Sequence, residues 1–301
     1  MFKGMNILEF TQKFPDKESC YRYLEEIKWG NGFKCSRCGH DECYKGKHAF
    51  SRRCKSCAYE ESVTANTLFH GIKMSILKAF HLAFRISAKK KGMSTVELGH
   101  EVGIQQKSAW LFKRKTQVGM QSDKKNKIET QVHVDEFVVG GKEPGKPGRS
   151  LSAKKATMIV MEKIDEKTVG RVYLQQIENY EADTLKYAIK EHVGDEALIT
   201  TDQYPSYQSL KSTMGNLITQ PSEKGKNFKQ LHEQIMLFKI WLRGIHHKCS
   251  SQHYQAYLDE YCYRFNRRGH RKNIFDNLIR RMMNQIPHPY PVLKKLCDYS
   301  T

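Results

Sequence analysis

Four cysteines in this 301-residue chain have the spacing of metal ligands. Cys35, Cys38, Cys54 and Cys57 make C-x2-C-x15-C-x2-C, inside the window for a tetrahedral four-thiolate zinc site. Each pair sits in a turn with glycine or small residues, as in Cys35-Ser36-Arg37-Cys38-Gly39. Both sulfurs can then face one ion, and Tyr44 to Arg53 between the pairs can form a hairpin. The predicted module is a zinc ribbon over about residues 30–62. Four protein ligands leave no position for substrate, so the Zn2+ is expected to be structural, holding together a segment with too few apolar side chains to fold alone. His40, Cys43 and His48 lie within reach in sequence as substitute ligands. The nine cysteines are odd in number. Cys20, Cys249, Cys262 and Cys297 have no partner spacing and read as small apolar residues rather than disulfide partners.

Two acids stand in places where an acid is costly. From Thr130 the chain alternates, with Val132, Val134, Phe137, Val138 and Val139 around Asp135 before Gly140-Gly141, which predicts a strand. A carboxylate in an apolar strand must be paired or ligate a metal, unless it sits on an edge facing water. Its neighbour Glu136 points to the other face. Asp202 follows the short β-rich run Ala197 to Thr201 and precedes Tyr204-Pro205, at the carboxyl end of a strand, where α/β sheets build their sites.

The elements that must bring these acids together can be read between them. Ala156 to Met161 and Gly170 to Leu174 are strand-like, Ala182 to His192 has helical spacing, and 142–155 is a basic Gly/Pro-rich insert. Strand, strand, strand, helix, strand is the order of the ribonuclease H-like fold. In that fold strands one and four are neighbours, so Asp135 and Asp202 are expected to meet despite their separation in sequence. Two carboxylates there would hold divalent ions for phosphoryl transfer.

Before this domain, Ser75 to Ala88 reads as an amphipathic helix ending at Lys89-Lys90-Lys91-Gly92. Ser94 with Glu97 has the pattern of a capping box for a second helix running to about Val102. Gly103 breaks it, and Gln105 to Gln117 restarts a helix. This is a helix-turn-helix arrangement, with Gln105, Gln106 and Lys107 expected to read bases and Lys113, Arg114 and Lys115 to hold phosphates. Around the ribbon, Lys45, Lys47, Arg52, Arg53 and Lys55 either touch phosphates or form a solvated basic face. Residues 118–129 are polar and aperiodic, which places the domain boundary there.

Composition narrows the function class. Lys plus Arg number 51 against 32 Asp plus Glu, a net charge of +19, which favours a polyanionic partner through counterion release. Residues 1–125 hold 24 basic and 12 acidic residues, or +12 of that total, so this part is expected to be the main grip on double-stranded DNA. The 39% hydrophobic content is too high for a disordered chain. Charges are spread so that no 18-residue apolar run occurs, and Met1 to Phe10 lacks the apolar core of a signal peptide. The expectation is a cytoplasmic protein with no membrane partner.

Three further groups of residues complete a resemblance. Val134-Asp135-Glu136 with Val139-Gly140-Gly141-Lys142, then Thr201-Asp202-x-Tyr204-x-x-Tyr207, then Tyr257-Leu258-Asp259-Glu260-Tyr261-x-Tyr263-Arg264-Phe265-Asn266-Arg267-Arg268, resemble the DDE-type insertion-sequence transposases that carry an N-terminal zinc ribbon. The resemblance runs from the ribbon to Arg268. It implies binding to the terminal inverted repeats of the chain's own element, cleavage with Mg2+, joining of the freed 3′ ends to target DNA, and a nucleoid-associated place in a prokaryotic cell. A homodimer or larger assembly is implied by the need to hold two ends.

The family places Glu or Asn on a helix seven residues before a Lys or Arg. Here the residue seven before Lys239 is His232, so the resemblance gives the third catalytic seat to His232, with Lys239 as the accompanying cation. Imidazole suits Mn2+ better than Mg2+. Glu233 is the competing ligand, turned about 100° away on a helix. Tyr257 to Arg268 is expected to be a helix that is mainly scaffold, with Arg264, Arg267 and Arg268 free for DNA or salt bridges.

The predicted architecture is multi-domain α+β. An N-terminal region (1–70) contains the ribbon, a helix-turn-helix follows (71–120), then a ribonuclease H-like α/β catalytic domain (128–270) and a C-terminal basic tail (271–301).

Overall fold

The chain passes twice between two compact units. In this computed structural model, which describes residues 5–141, 145, 151, 154–246 and 249–295, the residues up to Met120 and those from Gly269 onward form one unit. Gln121–Arg268 form the other.

The first unit opens with two short helices, α1 (Ile7–Lys13) and α2 (Lys17–Trp29), each started by a capping box, Asn6 with Glu9 and Asp16 with Ser19. Three short antiparallel strands follow, β1 (Cys43–Lys45), β2 (Ser51–Cys54) and β3 (Glu60–Ser62), in the order β1-β2-β3. Then come α3 (Ile76–Ala88), α4 (Thr95–Val102) and α5 (Gln106–Met120). Ser94 caps α4 by accepting from the Glu97 N–H at 3.1 Å. Only this half of the expected capping box forms, because the Glu97 carboxylate reaches Lys89 Nζ at 2.6 Å. Gly103 turns the chain between α4 and α5 at φ +63°, a left-handed conformation that favours glycine.

The second unit is built on a five-stranded sheet. Its strands are β4 (Gln131–Val139), β5 (Lys155–Lys163), β6 (Val169–Ile177), β7 (Leu198–Thr201) and β8 (Leu217–Thr219). Helix α6 (Ala182–His192) joins β6 to β7, α7 (Pro205–Leu210) joins β7 to β8, and α8 (Lys229–Ile245) and α9 (Ser251–Asn266) follow. The order β6-β5-β4-β7-β8, antiparallel on one side of β4 and parallel on the other, is that of the ribonuclease H-like fold. Most of the basic insert at 142–155 lies outside the described residues, as does Cys297.

Strand alternation sorts the two faces of the sheet. Val132, Val134, Met158 and Val160 pack with Leu185, Ile189, Tyr207 and Leu210. On the other face Phe137, Ile159, Met161 and Val172 pack with Leu231, Phe238, Tyr254 and Leu258 of α8 and α9. Helix α9 also closes the edge of β6, where unpaired backbone groups would invite another strand. Gln255 accepts from the Gln176 N–H and Asn266 from the Val172 N–H, both at 2.8 Å, and Asn266 donates back to the Val172 carbonyl at 3.0 Å. Arg268 donates to the carbonyl of Gly170 at 3.1 Å, Arg267 lies over the Tyr263 ring, and Arg264 pairs with the buried Glu260 at 2.8 Å.

After Arg268 the chain returns to the first unit, and the expected basic tail is corrected here. Ile274–Met283 form a helix, α10, and Tyr290–Lys295 a short one, α11. Ile274, Phe275, Leu278, Ile279, Met282 and Met283 recur at helical spacing and are buried. Phe275 lies edge-on to Phe10 and Phe80, with centroids 5.4 and 5.8 Å away. Asp276 accepts a hydrogen bond from the Tyr23 hydroxyl, and Arg281 donates to the Gly119 carbonyl at 2.7 Å. The amino-terminal core is thus completed by the carboxyl-terminal helix. Among the described residues no helix is long and apolar enough to cross a membrane.

Candidate metal centre and active site

The two turns of the ribbon bring four sulfurs together. Cys35 Sγ lies 3.7 Å from Cys57 Sγ, and Cys38 Sγ 3.6 Å from Cys54 Sγ. A tetrahedron with Zn–S bonds of about 2.3 Å has edges of about 3.8 Å, so the cluster fits one zinc ion. Among the described residues, it is the one group of three or more metal-ligating side chains with all donor atoms within 4.8 Å of one another. His40, Cys43 and His48 stand outside it, and Cys43 accepts from Arg52 at 3.9 Å instead. Of the basic residues around the ribbon, Arg52 pairs with Glu25 and Lys55 with Glu42, while Lys45, Lys47 and Arg53 are exposed.

At the start of α5, Gln105, Gln106 and Lys107 are exposed, and Gln106 also donates to the Thr95 hydroxyl at 2.9 Å. The phosphate grip expected at Lys113, Arg114 and Lys115 is corrected. These side chains are only 2%, 7% and 5% exposed. Lys113 Nζ donates to the Met93 carbonyl at 2.9 Å, Arg114 to Gln117 at 2.8 Å and Lys115 Nζ to the His70 carbonyl at 3.2 Å. The physical reason is coverage of the second half of α5, where every residue from Phe112 to Met120 is buried. The apolar stems fill the interior while the charged heads find oxygen acceptors, backbone carbonyls for the two lysines and the Gln117 side chain for Arg114.

The second unit positions the acids. On the parallel pair, His133 of β4 lies opposite Thr200 of β7; Asp135 comes two residues later on β4, and Asp202 one residue past the end of β7. Adjacent strands are about 4.8 Å apart. Asp135 Oδ1 accepts from the Glu136 N–H at 2.8 Å, and Asp202 Oδ1 from the Tyr204 N–H at 3.0 Å. One oxygen of each carboxylate is therefore held by backbone.

Helix α8 brings His232 to this edge, with Nε2 3.3 Å from Asp135 Oδ2. The hydrogen bond to Asp135, reinforced by the charges of Asp135 and Asp202, raises the imidazole pKa against the opposing effect of burial. Glu233, the next residue, is exposed. Lys239 lies two turns on, its Nζ 5.1 Å from the Phe137 ring centroid. Burial and Arg243 lower its pKa, with Asp135 opposing.

Two relationships at this site were not evident from residue types and spacing. Before α8, Glu223, Lys224 and Gly225 have φ of +48°, +57° and +90°. A Cβ on Gly225 would stand 2.6 Å from His232 Nδ1, so the loop closes directly on the imidazole. On the opposite face of β4, the Tyr207 hydroxyl donates to Glu136 Oε2 at 2.7 Å. Burial, with the carboxylate charges of Glu136, Asp135 and Asp202, pushes the Tyr207 pKa well up, keeping it a donor.

Residues 127–266 match the family model of the ISXO2-like transposase domain, and residues 15–60 match that of the transposase zinc-ribbon domain. The chain belongs to the zinc-ribbon transposases. The ribbon match begins before β1 and takes in all of α2, which the cysteine spacing alone does not indicate. The catalytic match spans β4 through the end of α9, and so includes Asp135, Asp202, His232 and Lys239 of this transposase. No curated protein matches the chain.

Proposed function

We propose that this transposase binds the terminal inverted repeats of its own insertion sequence, cuts the DNA there and joins the freed 3′ ends to a target. The observation that carries the reading is His232 against Asp135 of β4, with Asp202 just past the end of the neighbouring parallel strand β7 and its charge acting on the same imidazole. Asp135 and Asp202 are the chief ligands for Mg2+ or Mn2+, and His232 is the third. Ions held there would activate water or a 3′ hydroxyl and stabilise the leaving oxygen at phosphorus. The donor set of two carboxylates and an imidazole suits Mn2+ at least as well as Mg2+. Lys239, on the same helix as His232, supplies positive charge for a phosphate near the site.

Gln105, Gln106 and Lys107 offer exposed polar side chains at the start of a helix behind a glycine turn, the arrangement that reads base edges in a major groove. The zinc is structural, and a dimer or larger assembly on DNA holds the two ends. The test is a duplex carrying the inverted repeats that flank the reading frame, incubated with the full chain and Mg2+ or Mn2+. Cleavage at the repeat ends with joining to a second duplex supports a transposase. Cleavage without joining indicates a stand-alone nuclease, and DNA binding without cleavage indicates a chain that has lost catalysis.

A further inference from the structure

Asp202 lies one residue beyond the end of β7, so the sheet ladder does not hold it directly. What holds it is the turn that follows. Its Oδ1 accepts from the Tyr204 N–H, Pro205 starts α7, and Ser206 donates to the Tyr180 carbonyl at 2.6 Å. The next residue, Tyr207, is fully buried and reaches across to Glu136. Glu136 is the chain neighbour of Asp135 but points to the opposite face of β4, into the layer that contains α7. The segment from Asp202 to Tyr207 thus runs from the end of β7 to the residue beside Asp135. At one end is Asp202 itself, and at the other the Tyr207 hydroxyl holds the side chain of Glu136, the chain neighbour of Asp135.

We propose that Glu136 and Tyr207 are positioning residues that set the spacing of Asp135 and Asp202 from behind the sheet. The pair touches neither DNA nor metal. Its hydrogen bond ties α7 to β4, so the turn carrying Asp202 cannot shift relative to Asp135. A purely structural role would make the pair interchangeable with any buried contact of α7. A positioning role makes metal affinity depend on this contact and not on others of similar stability. The proposal rests on Asp135 and Asp202 being metal ligands.

The experiment is Mn2+ binding to the full chain without DNA, read from the electron paramagnetic resonance signal of free Mn2+, with folding checked by circular dichroism. Asp135→Asn defines the binding that belongs to this site. Tyr207→Phe removes only the donor oxygen and is expected to weaken that binding by about 10-fold, within the range for residues that orient metal ligands. Glu136→Gln keeps an acceptor for the Tyr207 hydroxyl and should bind within about 3-fold of wild type. Leu210→Ala, a buried truncation elsewhere on α7, should do the same. If Tyr207→Phe does not fold, Glu136→Met, which removes the acceptor, takes its place. Wild-type affinity in Tyr207→Phe, or an equal loss in Leu210→Ala, overturns the positioning role and leaves the metal site standing. Identical Mn2+ binding by wild type and Asp135→Asn would instead sink the metal-site reading, and this proposal with it.

Discussion

His232 Nε2 stands 3.3 Å from Asp135 Oδ2, whereas Glu233, one residue along α8, is exposed. Both side chains are exposed, but a single helical step, about 100°, separates the one that contacts Asp135 from its neighbour. We therefore expect His232→Ala to lower DNA cleavage by at least about 10-fold, the scale on which groups around a metal act, and Glu233→Ala to lower it much less. Turnover measured on end-bearing duplex with Mn2+ distinguishes them. The opposite ranking would give the third seat to a carboxylate.

Gly225 carries the loop that meets the His232 ring. A methyl there would come within 2.6 Å of Nδ1, and φ is +90°. Gly225→Ala should thus reproduce much of the His232→Ala defect and cost about 1–3 kcal/mol of backbone strain. Cleavage and thermal melting measured together check this. Full activity in Gly225→Ala would mean that His232 does not need its observed place.

The carboxyl-terminal helix completes the amino-terminal unit. Phe275 is buried against Phe10, Phe14, Phe80 and Phe84, so Phe275→Ala should destabilise that unit by about 3–5 kcal/mol. A fragment of residues 1–125 should lack a cooperative melt, and the same fragment joined by a flexible linker to 269–301 should regain one. Cooperative unfolding of 1–125 alone would show that α10 is dispensable.

His192 is buried and stacked on Tyr173 with centroids 4.6 Å apart. Burial pushes its pKa down from 6.5 to about 4. A depressed pKa means that the unfolded chain takes up the proton first. The stability contributed by the neutral ring is complete above about pH 6.5 and is lost as pH falls toward 4, by about 3 kcal/mol on the linkage relation. Urea unfolding of the wild type across this window should show the loss, and His192→Phe should make it shallower, leaving the part owed to His133, which burial also pushes down to about 4. An equal slope in the variant would place the titration elsewhere.

Much of this architecture was legible because local signals agreed with the fold. The alternation around Asp135 predicts β4, the N-cap at Ser94 and the turn at Gly103 bound α4, and the strand order expected from the sequence places β7 beside β4. The failures share a physical cause. Whether Lys113, Arg114 and Lys115 meet solvent depends on what covers α5, and Arg281, which bonds to that helix, is 162 residues from its partner Gly119. The helical period of Ile274 to Met283 is present, but the basic residues on its other face read as a solvated tail. Strand alternation turns Glu136 away from Asp135, yet nothing local says that Tyr207, 71 residues on, supplies its donor. Strand β8 has three residues, too few for a period.

Asp135 and Asp202 together are expected to carry metal-dependent DNA chemistry. The direct measurement is Mn2+-supported cleavage of a duplex bearing the element's flanking repeats, by wild type and by Asp135→Asn and Asp202→Asn separately, with DNA binding and zinc content followed in parallel. Each substitution alone should abolish cleavage and joining while binding and about one equivalent of zinc are retained. Cleavage at the wild-type rate by either variant would contradict it.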